Sequence, residues 1–137
     1  MGDRFTRDGD RWLFDGKRYK DLTYEEYLEM VGCEENTLPY SNLDKAMPFF
    51  AGKWNLTVHA AVLTIGPCGF NALRRALPHL SSSVLASTLR YLASIGMVRR
   101  EVTDGTPPHT IYSATKRAYD FMRVFYEMAK WIDRAEE

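Results

Sequence analysis

The chain has 137 residues and a mass of 15.8 kDa, room for one ordinary domain with a small appendage and not for two full ones. With 45% hydrophobic and 26% charged residues it has the profile of a globular protein and not of a disordered one. Eighteen basic residues balance eighteen acidic ones, and a net charge of zero, taken whole, argues against a protein that grips nucleic acid.

The elements, in chain order, begin with a hairpin. Arg11 to Phe14 and Lys17 to Lys20 flank Asp15-Gly16, a pair that tolerates the positive φ of a tight two-residue turn. Thr23 is placed as a helix N-cap with Glu26 completing a capping box, so a short helix is expected over Tyr24 to Val31, ended by Gly32. Cys33 to Tyr40 has turn-formers and no periodicity and reads as a linker. From Asn42, Leu43, Ala46, Met47 and Phe50 recur at helical spacing. Gly52 interrupts, and Trp54, Val58, Ala61, Val62 and Ile65 form a second stripe that Gly66-Pro67 ends. Asn71 is a candidate cap for a short helix from Ala72 to Leu77. Ser81 is the candidate cap for the next, Ser82 to about Ile95, with Val84, Leu85, Leu89 and Leu92 on its buried face and Gly96 at its end. Two strand candidates follow, Met97 to Val102 and His109 to Ala114, joined by the turn Thr103-Asp-Gly-Thr-Pro-Pro. A long helix from Lys116 to about Arg134 closes the chain.

Two helices joined by a tight turn, with a β-hairpin directly after the second, describe a winged helix-turn-helix. The fold class expected is therefore mostly α with a small β-hairpin wing (α+β), carrying an N-terminal hairpin-plus-helix extension. Residues 1–41 form the acidic extension and residues 42–137 the domain proper. The charge divides along the same line. Residues 1–42 hold six basic and ten acidic residues, a balance of −4, and residues 43–137 hold twelve and eight, a balance of +4. Within Phe70 to Arg117 the balance reaches +5, where such a fold meets DNA.

From about Leu43 to Trp131 the chain resembles the HxlR-type winged helix-turn-helix transcription regulators, relatives of the MarR group. The resemblance lies in Gly52-Lys-Trp, Phe70-Asn-Ala-Leu-Arg-Arg-Ala-Leu-Pro, Leu80-Ser, Leu89-Arg-Tyr-Leu, Gly96-Met-Val-Arg-Arg, Pro107-Pro-His-Thr-Ile-Tyr-Ser-Ala-Thr and the terminal Trp131. It implies a homodimer on an inverted-repeat operator, on this reading a repressor, that responds to a small-molecule effector. Two cysteines without a disulfide framework and an N-terminus without an apolar leader core make a cytoplasmic protein the expectation. Three positions depart from the family pattern. Ser41 stands where oxidant-sensing members often carry a cysteine, Gly69 where an arginine is common, and Ile111 where an acidic residue is usual.

On this reading double-stranded DNA is contacted by Ser82, Ser83, Ser87 and Arg90, which lie off the apolar face of the recognition helix. Asn71, Arg74 and Arg75 on the preceding helix position the duplex through phosphates. Arg99, Arg100 and His109 flank the wing, and alternation leaves at most one of the two adjacent arginines on the contacting strand face. For Arg90 an ion pair within the domain is the competing role. Dimer-interface candidates are Leu43, Met47 and Phe50 on one helix with Met122, Phe125, Met128 and Trp131 on the last. Cys68 is the candidate redox thiol, with an idle or buried cysteine as its alternative. His59, His79 and His109 share no ligand spacing with either cysteine, so no metal is expected. Without a glycine-rich phosphate loop, a nucleophile elbow or a catalytic carboxylate pair, no cofactor and no enzyme are expected, and the longest apolar stretch, Leu56 to Ile65, is too short for a membrane span. A winged-helix protein-interaction module with weak or masked DNA binding is the alternative function, favoured by the serine-rich recognition helix and by Gly69.

Overall fold

A computed structural model describes residues 4–9, 11–33 and 41–135, with the side chains of 41–45 left out. The chain divides into two compact units, Met1–Ala46 and Met47–Glu137, with the division falling inside a helix. Each unit is described by itself.

In the first unit, β1 (Phe5–Asp8) pairs antiparallel with β2 (Arg11–Phe14), Phe5 opposite Phe14 and Asp8 opposite Arg11. This corrects the expected hairpin. The Asp15-Gly16 turn does form: both residues have positive φ, and Phe14 and Lys17 exchange backbone hydrogen bonds at 2.9 and 3.0 Å. The ladder stops there, because Tyr19–Asp21 coils into a 3₁₀ turn, and the partner of β2 is the strand before it. Helix α1 (Tyr24–Val31) starts as expected. The Glu26 N–H donates to Thr23 Oγ1 at 3.1 Å and the Thr23 N–H donates to Glu26 Oε1 at 3.0 Å. Phe14 and Met30 are buried here. The Arg4 guanidinium donates to Asp15 and to Glu29, both at 2.6 Å, which joins the turn to α1 and holds the Asp15 carboxyl below the usual carboxylate range. Of the linker expected over Cys33 to Tyr40, all but Cys33 lies outside the described residues.

Helix α2 (Ser41–Ala51) leads into the second unit, where α3 (Asn55–Ile65), α4 (Phe70–Ala76) and α5 (Ser82–Ser94) follow. Helix α3 is the centre: Asn55, Val58, His59 and Val62 are all buried. Around it lie Phe49 of α2, Leu73 of α4, Leu85, Leu89 and Leu92 of α5, then Leu77, Leu80, Met97, Val98 and Ala118. Ser81 caps α5 as expected, its hydroxyl accepting from the Val84 N–H at 3.1 Å. Asn71 does not cap α4. The helix begins two residues earlier, at Phe70, with Gly69 in the cap position and no side-chain cap bond.

The wing is β3 (Val98–Val102) against β4 (Thr110–Ala114), antiparallel, with Arg99 opposite Ser113 and Arg100 opposite Tyr112. A third short rung was not anticipated: Cys68 and Tyr112 exchange backbone hydrogen bonds at 3.0 and 2.8 Å, fastening the segment before α4 to the wing. The long terminal helix is broken. Helix α6 (Lys116–Asp120), capped by Thr115, gives way at Phe121 to α7 (Met122–Ala135). No proline or glycine marks that break. Phe121 instead packs into an aromatic cluster with Phe49, Phe50 and Phe125.

The Gly52-Lys-Trp stretch has a steric reason. Asn55 Nδ2 donates to the Phe49 carbonyl at 2.9 Å, satisfying a carbonyl that the end of α2 leaves open. A Cβ at Gly52 would lie 2.1 Å from that Nδ2 and 2.6 Å from Cγ, so only glycine lets the side chain pass. Trp54 packs against the core, with the Lys53 ammonium over its ring at 4.9 Å. Replacing Gly52 by Ala is expected to cost about 1–3 kcal/mol in chemical denaturation. Because the clash is with Asn55, the pair Gly52→Ala with Asn55→Ala should cost less than the sum of the two single changes.

Candidate nucleic-acid interface

The basic residues singled out in the sequence come from two helices and a strand. Helix α4 needs Leu73 inward, where it is fully buried, which leaves Asn71, Arg74 and Arg75 on the outer side. With Pro78 these three line one shallow groove of about 360 Å³. Helix α5 buries Leu85, Thr88, Leu89 and Leu92, and the same periodicity turns Ser82, Ser83, Ser87 and Arg90 to solvent. No carboxylate among the described residues lies within ion-pair distance of Arg74, Arg75 or Arg90. The internal salt bridge weighed for Arg90 is therefore not formed among them. Exposed guanidinium groups without protein partners can give their donors to anionic oxygens, bidentately where two are presented.

The serines differ among themselves. The Ser87 hydroxyl donates to the Val84 carbonyl at 3.0 Å within its own helix, whereas Ser82 and Ser83 stand at the first turn. Thr88 does the same as Ser87, at 2.8 Å, from a buried position. The exposed side of α5 thus carries a single long side chain, Arg90.

In the wing both Arg99 and Arg100 are exposed, because β3 is covered only at Val98. Alternation does not divide them as expected, since the two-stranded wing has open faces on either side. They differ in partner: Arg99 lies 3.6 Å from Glu101 and Arg100 has no acidic partner among the described residues. His109 is exposed, and its backbone closes the wing, its N–H donating to Thr103 Oγ1 at 3.1 Å and its carbonyl accepting from the Thr103 N–H at 2.7 Å.

Cys68 is half-buried and burial pushes its thiol up, away from the thiolate form that redox chemistry uses. Gly69 has extended backbone (φ −84°), and a Cβ there would meet nothing nearer than the Thr110 carbonyl at 3.8 Å. The absence of a basic residue at this position is therefore not imposed by space. Among the described residues no cluster of three metal-ligating side chains occurs, and no helix is long and apolar enough to cross a membrane.

A second surface lies on α7. This helix buries none of its residues, and Met122, Val124, Tyr126, Met128, Trp131 and Ile132 are all exposed, Trp131 by 66%. Met47 and Phe50 are exposed on α2, while the Leu43 side chain lies outside the described residues. Phe125 turns the other way, onto His59 and Phe121 at 5.4 and 5.3 Å. Tyr126 and Ile132 lie outside the apolar stripe that the sequence suggests, because α7 turns Phe125 inward and leaves most of its apolar side chains exposed.

The comparisons agree with this architecture. The family profile described as HxlR-like helix-turn-helix matches residues 49–137. The HTH-type transcriptional regulator YodB of Bacillus subtilis (strain 168) is 32% identical over 93 residues, covering 67% of this chain and 81% of that protein. The solved reduced form of YodB superposes with a TM-score of 0.62 at 28% identity, over 68% of this chain and 90% of that one. A regulator described as of the MarR family, from Enterococcus faecalis V583, gives a TM-score of 0.64 at 25% identity, over 74% and 91%. These relatives are transcriptional regulators and not enzymes. With an outward arginine-and-serine surface on α4 and α5, a two-stranded wing and a matching profile over most of its length, the chain belongs to the HxlR-like helix-turn-helix family of transcriptional regulators.

Proposed function

We propose that the protein is a sequence-specific DNA-binding repressor that acts as a homodimer on an inverted-repeat operator. The observation that carries the reading is the set Arg74, Arg75 and Arg90: three exposed guanidinium groups, on two consecutive helices of a helix-turn-helix, none with an acidic partner among the described residues. Asn71, Arg74 and Arg75 anchor phosphates, and the Ser82–Arg90 side of α5 enters the major groove. Arg100 and His109 bring the wing to the neighbouring backbone, with Arg99 partly neutralised by Glu101. Because α5 offers one long side chain, DNA shape and bridging water share the recognition with direct base contacts. The exposed apolar side of α7, joined by Met47 and Phe50, is the dimer seam.

A small-molecule signal belongs to the reading, as the family resemblance implies. The raised Cys68 thiol and Ser41 favour a ligand held without covalent thiol chemistry. A protein-interaction role is the second reading, favoured by the sparse side of α5.

Binding of the full-length protein to the DNA upstream of its own coding region, followed across salt concentrations, tests the first reading against the second. Each lost phosphate contact should flatten the salt dependence by about 0.9 in log–log slope, so Arg74→Ala with Arg75→Ala flattens it and Arg90→Ala costs about 1–3 kcal/mol. Absence of any binding at low salt would refute it. Gly69→Arg, which the space at that position accepts, should tighten binding and steepen the slope by about the same 0.9. In sedimentation, Met128→Glu with Trp131→Glu should turn the dimer into a 15.8 kDa monomer without unfolding it.

A further inference from the structure

The core of the second unit contains a polar side chain that its fold does not satisfy. His59 is 1% exposed, and neither Nδ1 nor Nε2 completes a hydrogen bond with protein. Buried polar groups are nearly always bonded, so the exception asks for a reason. Its neighbours are aromatic. The imidazole stacks on Phe125 at 5.4 Å and 17°, and meets Phe121 and Phe49 edge-on at 5.5 and 6.0 Å. Those rings come from the first turn of α7, from the break between α6 and α7, and from the end of α2. His59 is thus the point at which the core holds the root of α7.

We propose that His59 is a proton-operated latch: neutral, it seats α7 on the core through Phe121 and Phe125, and protonated, it releases them. An imidazolium needs acceptors for two N–H donors; the three phenylalanine rings supply none, and the Ala118 backbone carbonyl serves one of them at most. The attraction of ring faces for a cation recovers only part of the lost hydration. Burial pushes the imidazole below its ordinary 6.5, and the Ala118 backbone pulls more weakly the other way. No nearby charge takes part in either direction. Helix α3 carries no charged residue, nor do residues 46–51 of α2, whose Asp44 and Lys45 lie among the side chains left out. On α6, Lys116 pairs with Asp120 in solvent and Arg117 is exposed. On α7, Arg123 reaches toward Glu127 at 3.7 Å, also in solvent. Arg74 and Arg75 of α4 and Arg90 of α5 are exposed, and the titratable group on β4 is the half-buried Tyr112.

A histidine whose folded pKa lies below its unfolded value contributes stability above 6.5 and loses it as the pH falls below 6.5. The equilibrium between seated and released α7 therefore shifts by up to about tenfold per pH unit in that range. The latch stands apart from DNA binding. Only its consequence, weaker association at acid pH, rests on α7 being the dimer seam.

The test compares the full-length protein with His59→Phe and His59→Leu between about pH 7.5 and 5.5. Tryptic cleavage within α7 is read as the ratio of wild type to variant at each pH, which cancels the protease's own pH response. Nuclear magnetic resonance follows the His59 ring. The proposal expects the ratio to rise by several-fold on acidification, His59 to titrate below 6.5, and the Phe121 and Phe125 signals to change with it. A flat ratio overturns it, as does a His59 titration that leaves the two phenylalanines unmoved. The second readout needs only the wild-type chain, so a variant that failed to fold would not shield the claim. No DNA enters either measurement, so failure of the latch and failure of the regulator reading are told apart.

Discussion

Burial of α3 is the constraint on which the second unit depends. Val58 and Val62 are essentially without solvent contact, and each neighbouring element presents its apolar residue to them: Phe49 from α2, Leu73 from α4, Leu85, Leu89 and Leu92 from α5, Ala118 from α6. A helix that is apolar nearly all round cannot stand at a surface, so the others must surround it. Once Leu73 and the three leucines of α5 point inward, 3.6-residue periodicity fixes what points outward. Those outward positions are Asn71, Arg74, Arg75, Ser82, Ser83, Ser87 and Arg90. The proposed DNA-contacting surface is the complement of the core, and its unpaired arginines follow from there being no acid on the same sides of α4 and α5.

The balance of charge illustrates the same separation. A net charge of zero conceals a −4 first portion and a +4 remainder. Within the first unit Asp15 and Glu29 are held by Arg4 and Glu26 by Lys17. In the second unit the arginines of α4 and α5 are not engaged. Such exposed ion pairs add little stability individually. Their effect is to pair part of the first unit's charge internally, whereas the exposed arginines of α4 and α5 keep their field.

Most of the fold was legible because its signals are local. Thr23 with Glu26, Ser81 before Ser82, Gly66-Pro67 and Gly96 mark helix ends through bonds a few residues long, and each lies where expected. The misreadings involve partners distant in sequence. Asp15-Gly16 is a true tight turn, yet nothing local says that β2 will pair backward with Phe5–Asp8. Asn71 has the chemistry of a cap, but Phe70 packs against the core and draws the helix start to Gly69. The break at Phe121 has no proline or glycine to announce it, because aromatic packing from three elements produces it. The Cys68–Tyr112 rung and the unpartnered His59 were invisible for the same reason. Of the site, the outward arginines and serines could be read from periodicity, whereas the inward turn of Phe125 and the exposure of both wing arginines required the fold.

The account rests on the outward surface of α4 and α5 reading a particular DNA sequence. Selection of bound duplexes from a random pool by the full-length protein tests that most directly. The account predicts enrichment of an inverted repeat whose half-sites are centred about one helical turn or a multiple of it apart, as two copies of one recognition helix require. A pool that stays random after selection at low salt would contradict it.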